Sequence, residues 1–441
     1  MTSTSSPVHI DTLLTQITTS NSPAALNHTF KTAFTRDARE ILLSSFLANG
    51  QDPLAFLDPA VNTIGSLYIL SSRLHANYSN TPPPSWQTIG DFCSSFNADD
   101  ARLAPERVTK LARGIQRYAA HIGTPSLAIQ PLSDLVTRYP PTRSHLTAIH
   151  PIFLLTCVTT RHFRAALPVL AHPITEIDTT TTSPDLTYTD NLVYHYAGGI
   201  ALAALKRWAA AEECFEICVT SPGTYPAALQ MEALKKLRLV QLISTGTISN
   251  LPKYTHPLLN RMFKNTAYNA FINAYPKNTT LMREILEKER ATFAQEKNIG
   301  LIQQAITRAP RWVLKKLTAT YVTLHLSDIA RAVEIESEDE VRALLLSMIE
   351  SNDITATISA SGTVTFSDPP AQFSKAQVDA ALRGVQEQTA LLAFLELEAG
   401  RSREFLGKVV KSNDGNWAPA PDEEIFANLG AQHMWEENIY S

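Results

Sequence analysis

Residues 314–368 carry the pattern that most constrains what this chain can fold into. Two runs of apolar residues at helical spacing come first; Ser327 is placed to cap a short helix, and Ser337 and Glu340 form an S-x-x-E capping box before the next. That second run puts Val341, Leu344, Leu345, Met348 and Ile349 on one face. Apolar and polar residues then alternate through 354–366, which predicts a β-hairpin. Together with the helix that enters this region, these elements give the order helix, short helix, helix and hairpin, which is that of a winged-helix module.

The charge of this module argues against DNA binding. A helix that reads a DNA groove needs cations to replace the counterions of the phosphates. Around the helix in question, Arg342 is the one cation among five carboxylates: Glu334, Glu336, Glu338, Asp339 and Glu340. We therefore expect a wing that contacts other proteins.

Length and composition indicate a globular protein of several modules. At 441 residues the chain exceeds one compact core and should divide into two or three modules. Its net charge of -4 gives no overall attraction to nucleic acid or anionic membrane. Residues 1–7 lack the pattern of a secretory signal, and the most apolar window, 197–205, is about half as long as a membrane span. The expected location is the cytoplasm and nucleus.

Two similar triplets predict a solenoid of helical repeats in the middle of the chain. Large, small and large side chains recur at matching offsets, 45 residues apart, as Phe163, Ala166 and Leu170 and then Trp208, Ala211 and Phe215. This spacing lets two helix backbones approach closely, as in tetratricopeptide-like pairs. Because the interval exceeds the regular period of roughly 34 residues, we predict a degenerate form of the repeat.

Short segments, in order along the chain, resemble the PCI family. They are Tyr194-x-Tyr196-Ala197-Gly198-Gly199, Glu232-Ala233-x-Lys235-Lys236, Leu251-Pro252-Lys253-Tyr254-Thr255, Met348-Ile349-Glu350 and Gly362-x-Val364-x-Phe366. PCI is the domain shared by scaffold subunits of the proteasome lid, the signalosome and a translation initiation factor. Within that family the series is most similar to the third subunits of the signalosome, the constitutive photomorphogenesis nine complex. The resemblance covers residues 146–368.

The resemblance implies a mainly α fold: a right-handed, tetratricopeptide-like solenoid, then a winged-helix PCI module and a C-terminal helix. It divides the chain into an N-terminal helical region (1–145), helical repeats (146–300), a winged helix (301–368) and a C-terminal helix with a tail (369–441). The implied function is that of a non-catalytic scaffold in the complex that removes the ubiquitin-like modifier NEDD from cullin-RING ubiquitin ligases. No cofactor is implied. A subunit of the proteasome lid or initiation factor, or an RNA-binding PCI adaptor, stays open as an alternative.

Two surfaces are expected to hold the other PCI subunits. The strand edges of the wing can pair with a neighbour's strand, and the residues expected at this edge are Ile354, Ile358, Val364 and Phe366. A helix predicted at 375–400 has one apolar stripe, formed by Val378, Leu382, Val385, Leu392 and Leu395. That stripe packs either on the chain's own repeats or, as the resemblance implies, in a bundle with the C-terminal helices of other subunits.

The residues of a catalytic site are not recognisable in this sequence. The zinc-dependent activity that the resemblance implies for the whole complex needs an H-x-H pair, and none of the 12 histidines lies two residues from another. Cys214 and Cys218 have no second cysteine pair nearby to complete a zinc site. Cys157 and His162 are poorly spaced for a nucleophile and base on one helix, and His195 is more typical of an interior histidine than of a ligand.

One basic cluster precedes the winged helix. Arg308, Arg311, Lys315 and Lys316 have spacings that put most of them on one helix face. This face is either solvated or an electrostatic contact between subunits, or it binds RNA or an acidic tail.

Overall fold

Helices form nearly all the regular structure in a computed structural model of the chain. The structure describes residues 9–33, 35–78, 81–180, 182–367, 373–403 and 405–407. The chain divides into two compact units, Met1–Phe366 and Ser367–Ser441. The mainly α fold class predicted from the sequence is confirmed. None of the described helices is long and apolar enough to cross a membrane.

The N-terminal part of the first unit is a set of packed helices with two intervening 3-10 turns. The helices are α1 (Ile10–Thr19), α2 (Pro23–Thr32), α3 (Arg36–Ser44), α4 (Thr63–Arg73), α5 (Trp86–Ser95), α6 (Ala98–Arg102), α7 (Pro105–His121) and α8 (Ile129–Arg138). Every residue of α4 is buried, so this helix forms the centre of the region. The inner face of α7 buries Val108, Leu111, Ala112 and Ile115, the positions that apolar spacing predicts.

Helix pairs follow. They are α9 (Ile149–Thr159), α10 (Leu167–Leu170), α11 (Tyr188–Ala204), α12 (Trp208–Thr220), α13 (Ala228–Thr245), α14 (Pro257–Phe263), α15 (Ala267–Ala274), α16 (Thr279–Lys288) and α17 (Arg290–Gln295). Helices α11 and α12 pack closely because Gly199 has no side chain: a Cβ there would lie 2.7 Å from Cε1 of Phe215. The helical structure at the first predicted triplet is short: Phe163 and Ala166 lie in a 3-10 turn, and Leu170 ends α10, which is one turn long. Pro173 follows, and a proline disfavours helical conformation in the residue before it.

The winged module has one more strand than the sequence predicted. It consists of α18 (Ile299–Thr318), β1 (Thr323–His325), α19 (Leu326–Val333), α20 (Glu338–Glu350), β2 (Thr355–Ile358) and β3 (Thr363–Ser367). The strand order is β1-β3-β2, and β1 pairs antiparallel to β3, with Leu324 opposite Val364. Because β3 lies between two strands, the prediction that Val364 and Phe366 lie on an edge strand is wrong.

The caps of the two wing helices also differ from prediction. His325, the last residue of β1, precedes α19, so Ser327 already lies within that helix and does not cap it. At α20 the hydroxyl of Ser337 accepts a hydrogen bond from the Glu340 N–H at 3.4 Å. The reciprocal bond, from the Ser337 N–H to the Glu340 carboxylate, is not formed, so the predicted capping box is half present.

Three hydrophobic cores lie along the first unit. The first takes its side chains from Ile10 to Ala201, the second from Leu192 to Ala309 and the third from Leu314 to Phe366. The first core includes side chains on both sides of residue 145. The domain boundaries at 145, 300 and 368 remain predictions.

The described part of the second unit is dominated by α21 (Lys375–Arg401). Ser374 and Gln377 form a complete capping box at its start: the Gln377 N–H donates to the Ser374 hydroxyl, and the Ser374 N–H donates to the Gln377 side chain at 2.8 Å. The helix predicted at 375–400 is thus found. The tail beyond residue 407 lies outside the described residues.

Candidate subunit interfaces

The wing uses most of its predicted edge side chains for its own core. Ile354, Val364 and Phe366 are 8%, 0% and 6% exposed and pack with α19 and α20, while Ile358 is half-buried. A neighbour that pairs with this sheet would therefore contact its backbone more than these side chains.

Strand β2 lies at one edge of the three-stranded sheet, next to β3. The Ser359 N–H donates to the Thr363 carbonyl at 2.9 Å, which fixes the register of the hairpin. Backbone groups alternate in direction along an antiparallel strand, so the N–H groups of Ile358 and Ala356 point away from β3. An edge of this kind can accept another strand. The contact expected from Ile354 and Ile358 remains a prediction at this edge.

The acidic residues before and within α20 have local structural roles. Glu338, Asp339 and Glu340 occupy the first turn, where negative charge is stabilised by the partial positive charge of the helix N-terminus. The Glu334 carboxylate accepts a hydrogen bond from the Thr279 hydroxyl. This concentration of negative charge on the surface of the module repels a DNA duplex.

Half of the predicted basic face is engaged within the chain. Arg308 donates to the Ile243 carbonyl at 3.0 Å. Arg311 forms an ion pair with Asp353 at 3.3 Å and donates to the Ser347 hydroxyl. These two arginines therefore attach α18 to α13 and to the end of α20, and they are poorly placed to contact RNA.

The other half of the basic face is exposed. Lys315 and Lys316 are exposed side chains of α18, and no described carboxylate lies within ion-pair distance of either. The Lys315 ammonium lies 5.4 Å from the ring centroid of Trp312, within the range of a cation–π interaction. Free positive charge on α18 is thus concentrated near its C-terminal end.

A buried polar network joins α13 to the start of α18. The Lys236 ammonium donates to the Asn298 side chain at 2.6 Å, and the Lys235 ammonium donates to the Glu296 carboxylate at 2.6 Å. The Tyr268 hydroxyl links the two, since it donates to Glu296 and accepts from Asn298, both at 2.6 Å. Burial lowers the pKa of Lys236 to about 8. The network therefore holds the start of α18 against α13.

The apolar stripe of α21 is exposed along its length. Val378, Leu382, Val385, Leu392 and Leu395 are between 46% and 61% exposed. Leu391, Phe394 and Leu397 widen this surface near the helix end. Monomeric proteins rarely expose apolar patches of this extent unless the patch binds something.

Comparisons with known proteins place the chain in a family. The model of the N-terminal helical repeats of COP9 signalosome complex subunit 3 matches residues 31–259, more than half of the chain. The chain belongs to the COP9 signalosome subunit 3 family. This match begins at residue 31, far N-terminal of residue 146, where the resemblance noted in the sequence began. The PCI domain model matches residues 277–368, which include the winged module.

Full-length relatives in this family are similar over most of their length. The COP9 signalosome complex subunit 3 of Arabidopsis thaliana is 30% identical over 80% of this chain and 83% of the relative. That of Drosophila melanogaster is 29% identical over 74% and 77%, and that of Dictyostelium discoideum is 29% identical over 73% and 77%. The predicted resemblance to the PCI family and to third signalosome subunits is confirmed.

Burial holds two histidines and two cysteines of this subunit 3 family member in their neutral forms. Burial lowers the pKa of His150 and His195 to about 4, and it raises the pKa of Cys157 and Cys218 to about 12. Buried protonated thiols are poor nucleophiles and poor metal ligands. Among the described residues, no group of three or more His, Cys, Asp or Glu side chains could hold a metal ion.

Sequence reasoning missed two features of the interface region. It did not find β1, and it did not foresee that Trp312, with Lys277, would line a groove beside the basic face. A signal for the groove was present in the sequence, because Trp312 lies among the four basic residues of α18 and aromatic residues are enriched in binding surfaces.

Proposed function

We propose that this chain is a non-catalytic scaffold subunit of the signalosome. The observation that supports it most is the family match over the helical repeats together with the exposed apolar stripe of α21. A stripe of that kind needs a partner, and a bundle of C-terminal helices from other PCI subunits supplies one. The complex would remove the ubiquitin-like modifier NEDD from cullin-RING ligases, with its metalloprotease chemistry in another subunit.

In this proposal the chain works through its geometry. The repeats extend from the complex, the winged module pairs with neighbouring winged modules through the β2 edge, and α21 enters the bundle. The expected location of the chain is the cytoplasm and nucleus, where the complex would act on cullin-RING ligases. The RNA-adaptor alternative is weakened, since Arg311 is already paired with Asp353.

The proposal is tested by native purification of the tagged chain and mass spectrometry of what comes with it. Signalosome subunits should co-purify with the natural sequence. The double variant Leu382→Ser/Leu392→Ser should recover about tenfold less of them, because each serine replaces part of the apolar contact. The matched control Arg383→Ser/Glu387→Ser changes exposed polar positions of the same helix and should leave recovery unchanged.

Two results would contradict the proposal. Recovery of proteasome-lid or initiation-factor subunits in place of signalosome subunits would assign the chain to another complex. Undiminished recovery with Leu382→Ser/Leu392→Ser would show that α21 does not hold the subunit in the assembly.

A further inference from the structure

A groove of about 520 Å³ lies where the end of α13 meets α18. Trp312, Val313 and Pro276 give it apolar surface. The Trp312 ring is held against the turn that ends α13, since a Cβ at Gly246 would lie 2.5 Å from its Cδ2 atom. The groove therefore has a fixed aromatic surface. We call it the Trp312 groove.

The charge of the Trp312 groove is positive. Lys277, Lys315 and Lys316 line it, and none of its described lining residues is acidic. In the described ranges, no carboxylate lies within ion-pair distance of these three ammonium groups. The whole chain has a net charge of -4, so this positive charge is a local feature. A concave site lined by one sign of charge attracts ligands of the opposite sign.

The combination of groups indicates what binds there. An apolar surface with three flanking lysines suits a ligand that has one apolar side chain between carboxylates. A nucleic acid fits less well, because one aromatic ring, Trp312, offers a single stacking position. Arg308 and Arg311 are engaged within the chain, so the three lysines provide the free charge.

We propose that the Trp312 groove binds an acidic linear segment of another protein chain. One aliphatic or aromatic side chain of that segment packs on Trp312, and its flanking carboxylates pair with Lys277, Lys315 and Lys316. The proposal does not depend on which complex the chain joins.

The test uses the full chain and short fluorescein-labelled peptides in which a central Leu, Phe or Trp is flanked by Asp and Glu. Fluorescence anisotropy should show saturable binding with a Kd below about 100 µM that weakens as salt is raised. Lys315→Glu and Lys316→Glu should each weaken binding about tenfold, because each replaces an attraction by a repulsion. The matched control Lys288→Glu, at an exposed lysine outside the groove, should bind as the natural chain does.

Peptide controls separate this site from general charge attraction. Replacing the central apolar residue by Ser should abolish saturable binding, and Trp312→Phe, which keeps an aromatic ring, should retain it. The proposal is overturned if no acidic peptide binds, if Lys315→Glu binds as well as the natural chain, or if the Ser peptide or a single-stranded RNA binds as tightly. Those results would leave the co-purification test of α21 unaffected, so the two proposals fail separately.

Discussion

At the scale of single residues, Gly246 controls the junction between the repeats and the helix that enters the wing. Its φ of 77° lies in the left-handed region, where it ends α13 and its N–H donates to the Leu242 carbonyl at 3.2 Å. Its missing side chain also gives room to the Trp312 ring. One glycine thus meets both a conformational and a packing requirement.

We expect Gly246→Ala to lower the free energy of unfolding by about 2–4 kcal/mol, from the strain of a side chain at positive φ and its overlap with Trp312. Urea unfolding followed by circular dichroism measures this change. Gly300→Ala is the matched control, because its new methyl group would meet no atom within 4 Å. Equal effects of the two substitutions would contradict the role assigned to Gly246.

Glu40 makes the N-terminal helices sensitive to acid. Although burial raises the pKa of this carboxyl, hydrogen bonds from Arg107, Lys110 and Ser72 outweigh it and lower the pKa to about 2. The Ser72 hydroxyl and one Arg107 nitrogen lie 2.8 Å and 3.2 Å from the carboxylate. A carboxyl whose pKa is lower in the folded state stabilises the fold above its unfolded pKa and loses that effect as the pH falls.

We expect Glu40→Gln to reduce the free energy of unfolding by roughly 3 kcal/mol at pH 7. The difference from the natural chain should shrink as the pH falls from about 4.5 towards 2. Urea unfolding at a series of pH values measures both curves. Glu106→Gln changes an exposed carboxylate that lines the same surface cavity as Glu40, and it should have little effect at pH 7. If the difference in unfolding free energy between the two chains does not change with pH, the lowered pKa of Glu40 is contradicted.

At the scale of secondary-structure elements, β2 tests whether the wing binds by strand pairing. The Ala356 N–H points away from β3, so Ala356→Pro removes an outward donor and leaves the hairpin bonds in place. The variant should stay folded but recover fewer neighbouring subunits in native purification. Thr357→Pro is the contrasting control, because its N–H points towards β3 and its loss should destabilise the wing. Normal assembly of Ala356→Pro would exclude strand pairing at β2.

The secondary-structure elements differ in how well they can be predicted from the sequence. Long amphipathic helices such as α7 and α21 were predictable because many residues repeat one spacing. Strand β1 was not, since it has three residues and Leu324 also fits the helical pattern of the next element. The partners of Arg308 and Arg311 lie 65 and 42 residues away along the chain. Local patterns therefore identified the basic face but could not show that half of it is engaged.

At the scale of the whole molecule, the described core residues all lie in the first unit. The last of them is Phe366, and no residue of α21 is buried. We expect a chain ending at Ser367 to unfold within a few degrees of the full chain, because none of the described apolar side chains that the truncation removes is buried. Differential scanning calorimetry measures both transitions. A large drop in Tm would show that residues 368–441 stabilise the first unit.

The exposed stripe of α21 has a consequence for cells that make too much of this chain. In a copy that has no binding partner, the apolar stripe of α21 stays exposed to water. Exposed apolar surface of this kind is recognised by chaperones and proteases. Surplus copies should be short-lived, so the amount of the protein would follow the supply of its binding partners rather than its own rate of synthesis.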